Sequence, residues 1–195
     1  WTPTSNGPPD GKVRRLVARE SKLLAGTENN GIYASTDGGK KWTPSNRGLE
    51  ALRVYALTLG GANLLAGTDN GVFLSSDAGQ NWTPINTGLT ARNVYALAVN
   101  GPKIVAGTDN GVFITENSGA NWRRASNGLP NVSVFALAFK NASIFAGLSR
   151  VYVSTDNGAS WKLSSTGIPE QYGSDRIGFI LSLFVLNDKI YAGTT

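Results

Sequence analysis

The chain has 195 residues, 41% of them hydrophobic and only 16% charged, a globular composition long enough for one sizeable core. Cys, His and Met are absent, which excludes disulfides, thiolate and imidazole metal ligation, and every His-dependent triad or acid–base mechanism. The net charge of +5 comes with scattered basic pairs (Arg14–Arg15, Lys40–Lys41, Arg123–Arg124) and reads as a solvated surface.

In chain order, Trp1-Thr2-Pro3 reads as the closing strand of a unit whose beginning is not in the sequence. VRRLVA (from 13) and KLLAGT (from 22) follow as two apolar segments, then GIYAS and the octet STDGGKKW (35–42). The same order returns with VYALTL (from 54) and SSDAGQNW (75–82), with VYALAV (from 94) and TENSGANW (115–122), and with VFALAF (from 134) and STDNGASW (154–161). A last apolar pair, ILSLFV (from 180) and KIYAGT (from 189), comes after a seven-residue insertion. The Ala-Gly pairs at 25, 66, 106, 146 and 192 and the Trp residues at 1, 42, 82, 122 and 161 keep one beat of about 40 residues. The repeat fills the sequence, so 1–195 is expected to form a single domain or a fragment of a larger one.

Each unit predicts four short strands. VYALAV is apolar on both faces, which suits a strand sandwiched between neighbours. KIVAGT is a second strand, and the Asp-Asn-Gly after it predicts a hairpin in which Asn and Gly both take positive φ. GVFIT is the third strand, and the Trp of the octet opens the fourth. Pro3, Pro44 and Pro84 lie two residues after a Trp; lacking an amide donor, they place that strand at the sheet edge. Four-stranded units of this length describe the blades of an all-β propeller. Four complete blades are expected, with a partial fifth assembled from both termini. A solenoid is the competing architecture, disfavoured because its repeats are usually shorter or helical.

The octet resembles the Asp-box, or BNR repeat, of sialidases, xyloglucanase-type glycosidases, sortilin-like receptors and the photosystem II assembly factor family. That resemblance implies a hairpin between the third and fourth strands, on the face away from the ligand site. It assigns structural roles to Ser35, Asp37, Gly39 and Trp42, to Ser75, Asp77, Gly79 and Trp82, to Asn117, Gly119 and Trp122, and to Ser154, Asp156, Gly158 and Trp161. Turn chemistry supports the same roles, because an Asp in a tight turn pairs with local amides. Asn117 also replaces the acid in one unit, and a catalytic carboxylate could not be exchanged so freely.

Glycoside hydrolysis would need two suitably placed carboxylates, or a Tyr nucleophile with acidic partners. The acids outside the octets are few, and Asp69 and Asp109 recur in the hairpins as turn residues. The nearest string to the sialidase Arg-Ile-Pro motif is Arg176-Ile177-Gly178, which lacks the Pro. The expectation is a non-catalytic binding or scaffold module with no cofactor and no metal. Its partner would be a protein or a carbohydrate, with the hydrolase as the alternative. Candidate ligand residues lie where the repeat is broken: Glu170, Gln171, Tyr172, Asp175 and Arg176 in the insertion, and Arg53 and Arg92 in two connections. A basic stripe with interleaved aromatics is missing, so no nucleic-acid partner is expected. No run approaches the roughly 18 apolar residues of a membrane helix, so no membrane insertion is expected either. The unfinished units at the two ends suggest self-assembly or membership of a larger chain, and the family resemblance suggests an extracellular, cell-surface or periplasmic location.

Overall fold

The computed structural model describes residues 7–8, 12–164 and 178–195. Among them are eighteen strands and no helix. The first sheet holds β1 (Val13–Arg19), β2 (Lys22–Thr27), β3 (Ile32–Ser35) and β4 (Thr43–Pro44), and the second β5 (Val54–Gly60), β6 (Asn63–Thr68), β7 (Gly71–Ser75) and β8 (Thr83–Pro84). The third holds β9 (Val94–Asn100), β10 (Lys103–Thr108), β11 (Gly111–Thr115) and β12 (Arg123–Arg124), and the fourth β13 (Ala136–Lys140), β14 (Ser143–Gly147), β15 (Val151–Ser154) and β16 (Lys162–Leu163). A two-stranded sheet of β17 (Ile180–Leu186) and β18 (Lys189–Thr194) completes the series. Every sheet is an antiparallel meander, and the inner strands β1, β5, β9, β13 and β17 pack side by side in that order. These are propeller blades, four complete and one partial. The contribution of Trp1-Thr2-Pro3 to the fifth lies outside the described residues.

The short fourth strands are edges in all four complete blades, and Pro44 and Pro84 sit opposite Tyr33 and Phe73 where no further ladder needs an amide. Two local expectations are corrected. In the second and third hairpins the two-residue loops are Asp69–Asn70 and Asp109–Asn110, and only the following Gly71 and Gly111 take positive φ. The Thr68 hydroxyl donates to the Gly71 carbonyl (2.9 Å) and accepts from the Asn70 amide (3.0 Å). That hydroxyl closes the turn locally, so Asn is not driven into the left-handed region. The inner strands also do not alternate cleanly. Val54 pairs with Thr68 but Ala56 with the adjacent Gly67, which leaves Tyr55 as the extra residue of a β-bulge. Arg14, Tyr95 and Leu181 occupy the same bulge in their blades.

Hydrophobic burial lies between blades. Leu24 and Ile32 of the first blade meet Val54, Leu57, Phe73 and Trp82 of the second, and equivalent clusters fill the next two interfaces. One contact sets the spacing. A side-chain carbon built on Gly26, Gly67, Gly107 or Gly147 would stand 2.6–2.9 Å from a side-chain carbon of Val54, Val94, Val134 or Ile180 in the next blade. Only hydrogen fits there. Gly67→Val should therefore overpack the second interface and cost about 1–3 kcal/mol, read as a lower urea midpoint at unchanged slope.

Candidate functional site

The two ends of the propeller carry different chemistry. At one end lie the octets. The Ser35 hydroxyl donates to Asp37 Oδ1 (2.8 Å) and accepts from the Gly39 amide (2.9 Å), while the Lys41 amide donates to the same carboxylate oxygen (3.0 Å). Ser75, Asp77, Gly79 and Asn81 repeat the set at 2.8, 2.8 and 2.9 Å. So do Ser154, Asp156, Gly158 and Ser160, at the same three distances. Thr115, Asn117, Gly119 and Asn121 reproduce it at 2.7, 3.1 and 3.0 Å, with an amide oxygen as the acceptor. Gly79 and Gly119 take φ of 85° and 94°, which the turn requires. Hydrogen bonds hold the carboxyls below their usual range. Asp77 is brought to about 2, chiefly by the Asn81 side chain, and Asp156 to about 2, chiefly by the Ser160 hydroxyl. Asp37 is lowered mainly by the Lys41 amide.

Each octet then grips its neighbour. The Trp82 amide donates to Arg47 O and its indole Nε1 to Ser45 O, both at 2.8 Å, on the preceding blade. Trp122 does the same to Thr87 O (2.8 Å) and Ile85 O (2.6 Å), and Trp161 to Asn127 O (2.9 Å) and Ala125 O (2.7 Å). Trp42 differs: it is half-buried, and its indole donates to Gly39 O inside its own turn (3.0 Å). Ser, Gly and Trp of the octet are therefore engaged in turn closure and blade contact.

The opposite end is the mouth of a central cavity of about 230 Å³ between the inner strands. Here the bulge residues Arg14, Tyr55 and Tyr95, with Phe135 just ahead of β13 and Phe179 just ahead of β17, line the rim. Arg14 lies 5.5 Å over the Tyr55 ring; Tyr55 and Tyr95 stand 5.1 Å apart, Tyr95 and Phe135 5.1 Å, and Phe135 and Phe179 5.2 Å. A continuous aromatic row thus crosses four blades. Sequence reasoning missed it, although the aromatic after Val54, Val94 and Val134 and the one before Ile180 were the available signal. Polar groups flank the row. Glu28 is 3.4 Å from Arg14 and 3.8 Å from Lys12, and Asn93 Nδ2 donates to Asp109 Oδ2 (2.8 Å). Partial burial raises the Tyr95 phenol, with the Asp109 charge adding to it. Below the rim, Arg15 stands in the cavity wall where the other blades place Ala56, Ala96, Ala136 and Ser182.

Arg53 and Arg92 are exposed on this end, and neither guanidinium makes a hydrogen bond or ion pair among the described residues. They are not equivalent. Arg53 O accepts from the Asp69 amide of its own blade, whereas Arg92 O accepts from the Gly71 amide of the preceding one. Arg53 stands where the next blade has Asn93. Asp69 consequently lacks the amide donor that Asp109 receives, and its buried Oδ1 has no hydrogen-bond partner. Glu170, Gln171, Tyr172, Asp175 and Arg176 lie outside the described residues. Among those described, no group of three His, Cys, Asp or Glu side chains is gathered to hold a metal.

The family model for the BNR/Asp-box repeat matches residues 152–163, the strand–octet–strand segment of the fourth blade. With the same bonds in all four octets, one identification follows. The chain is a β-propeller whose fourth blade carries a BNR/Asp-box repeat. No curated protein matches its sequence. Among solved structures, the Asp-box propeller is similar to the extracellular domain of the BT4673 one-component system of B. thetaiotaomicron, with a TM-score of 0.79 and 18% identity over 100% of this chain and 27% of that one. An ancestral GH74 enzyme is similar with a TM-score of 0.70 and 21% identity, covering 84% of this chain and 25% of that one. YCF48 from Cyanidioschyzon merolae follows at 0.63 and 15%, covering 93% and 63%. The chain thus spans about a quarter of the first two and under two thirds of the third.

The depressed carboxyls make a prediction about acid. A folded pKa below the unfolded one stabilises the protein fully above about pH 4, and that stabilisation fades as pH falls toward 2. The melting temperature should drop over this window. It should drop less in the Asp77→Asn/Asp156→Asn double variant, which keeps the oxygen acceptor without the titration, as Asn117 already does.

Proposed function

We propose that this protein is a non-catalytic recognition module that binds a protein or carbohydrate ligand across the mouth of its central cavity. The observation that carries the reading is the row of Tyr55, Tyr95, Phe135 and Phe179 across the rim. Half-buried aromatics fixed by packing offer contact area at little entropic cost, and rigid aromatic and Arg side chains dominate recognition surfaces. Arg53 and Arg92 add exposed guanidinium groups at the rim, and Asp69 Oδ1, without a hydrogen-bond partner among the described residues, offers an acceptor to a ligand hydroxyl or amide.

The octet acids fit a turn role, because one carboxylate oxygen of each already accepts turn hydrogen bonds. An extracellular or cell-surface location fits this reading, and the BT4673 structure is that of an extracellular domain. The likeness to GH74 structures keeps a hydrolase as the alternative.

Glycan and peptide arrays together with chromogenic glycosides test the proposal. The expected result is binding without turnover, weakened about tenfold or more, ~1.4 kcal/mol, by Tyr95→Ala. Glycoside turnover abolished by Asp69→Asn, Asp109→Asn, Glu170→Gln or Asp175→Asn would replace the recognition module with a hydrolase.

A further inference from the structure

The second and third blades share one identical stretch, AGTDNGVF, at 66–73 and 106–113, so Asn70-Gly71 and Asn110-Gly111 have the same neighbours in sequence. The first blade places Asn30-Gly31 in the equivalent hairpin. Asparagine is thermolabile, and most so before glycine, where no side chain obstructs attack of the following amide nitrogen on the asparagine side-chain carbonyl. The ladder pairs Thr68–Gly71 and Thr108–Gly111 are alike. What differs is the hold on these hairpins from outside.

In the first two hairpins both reacting residues are tied down. Gly31 N donates to Leu52 O and Gly71 N to Arg92 O, each at 2.8 Å and each on the connection to the next blade. A nitrogen committed to such a bond must give it up before it can lose its proton and act as a nucleophile. Asn30 O and Asn70 O accept from the Asn46 and Asn86 side-chain amides, at 3.1 and 3.3 Å, which fixes the peptide unit between Asn and Gly.

The third hairpin has neither tie. Val132 holds the position of Leu52 and Arg92, but its connection turns differently. Val132 N donates back to Pro130 O (2.9 Å), and Gly111 N makes no bond to the next blade among the described residues. Asn131 is exposed where Ala51 and Ala91 are buried. Ser126 replaces Asn46 and Asn86; it accepts from Val112 N (2.9 Å) but has no amide to reach Asn110 O. Arg124 stands opposite Phe113 where Pro44 and Pro84 face Tyr33 and Phe73. Its exposed guanidinium donates to Asn110 O and to Asn110 Oδ1, each at 3.4 Å. A cation on Oδ1 polarises the side-chain carbonyl and favours the negative charge that this oxygen takes on when a nucleophile adds. Asn110 is also exposed, whereas Asn30 and Asn70 are half-buried.

We infer that Asn110 is a site of spontaneous deamidation at the cavity mouth, faster than Asn70 and Asn30 because Gly111 is not bound to the next blade and Arg124 polarises the Asn110 amide. Gly111 N bonds to Asn110 Cγ, and the Cγ–Nδ2 bond breaks. The Gly111 amide proton passes through water to the departing nitrogen, which leaves as ammonia, and a cyclic imide remains. Water then opens the imide, at Cγ to give aspartate or at the Asn110 backbone carbon to give isoaspartate. Either product sets a second carboxylate beside Asp109 and Arg124, so the rim grows more acidic as the protein ages.

Peptide mapping by mass spectrometry of the folded 195-residue chain, incubated at mildly alkaline pH, tests this. Amide-to-acid conversion at Asn110 should outrun that at Asn70 and Asn30 about tenfold, a factor that one or two missing hydrogen bonds permit. Once the chain is unfolded in urea, Asn70 and Asn110 should convert at the same rate. Arg124→Pro/Ser126→Asn gives the third blade the residues found at 84 and 86 in the second, and should slow Asn110 toward Asn70. The readout involves no ligand, so it stands or falls separately from the recognition reading. Equal rates at Asn70 and Asn110 in the folded chain, a difference that survives in urea, or an Asn110 rate untouched by the double substitution would overturn the inference.

Discussion

The molecule depends on how closely one blade can approach the next. That approach is limited at a single point, where Val54, Val94, Val134 or Ile180 at the entry to an inner strand meets the glycine of the preceding second strand. The small residues of the Ala-Gly-Thr segment follow from it: Ala25, Ala66, Ala106 and Ala146 are fully buried beside those glycines. Glycine weakens an isolated strand by its lost entropy and missing contacts. Here the loss is offset by the apolar faces that close contact brings together, at about 25 cal/mol for each Å² removed from water. Dense packing between sheets and a conserved strand spacing are one constraint seen from two sides.

The octets solve the next problem. Radial sheets diverge outward, so the outer edges need their own fastening. The indole and amide of Trp82, Trp122 and Trp161 supply it by reaching carbonyls of the preceding blade, and the Ser–Asp–Gly turn holds each Trp at the angle required. The turn needs an oxygen acceptor with two lone pairs and has no need of charge. Asn117 meets that condition as well as Asp77 does, which is why a carboxylate motif can be structural.

Much of this was legible. The beat of Trp and Ala-Gly located the blades, Pro44 and Pro84 marked the edge strands, and the Asn117 variant separated masonry from chemistry. What escaped the sequence was the bulge. A period-two reading of VYALAV assigns Tyr95 to the face shared with Leu97 and Val99, and nothing in the six letters announces that a residue is skipped in the pairing. The turn chemistry of Asp-Asn-Gly misled for a related reason: the hydroxyl that relieves Asn110 belongs to Thr108, outside the dipeptide that carries the signal. Arg53 and Arg92 looked alike as loop arginines, and only the backbone pairing shows that they sit one position apart in the repeat.

The bulge also explains how a repetitive fold acquires a face that differs from its other end. On a regular pleat, the second residue of each inner strand would point into a neighbouring blade and be held to small apolar types. Skipping one pairing turns it outward to the rim, where packing no longer restricts its identity. Arg14, Tyr55, Tyr95, Phe135 and Leu181 vary in size and charge at one equivalent position, while the residues just before them are all Val or Ile. Arg15 departs in the same way one step further on, placing a cation at a cavity-wall position where the other blades have Ala or Ser, and burial and the neighbouring Arg14 lower its pKa. Variation is thus confined to the strand's mouth end by the geometry itself, the surface that the blade joints do not use.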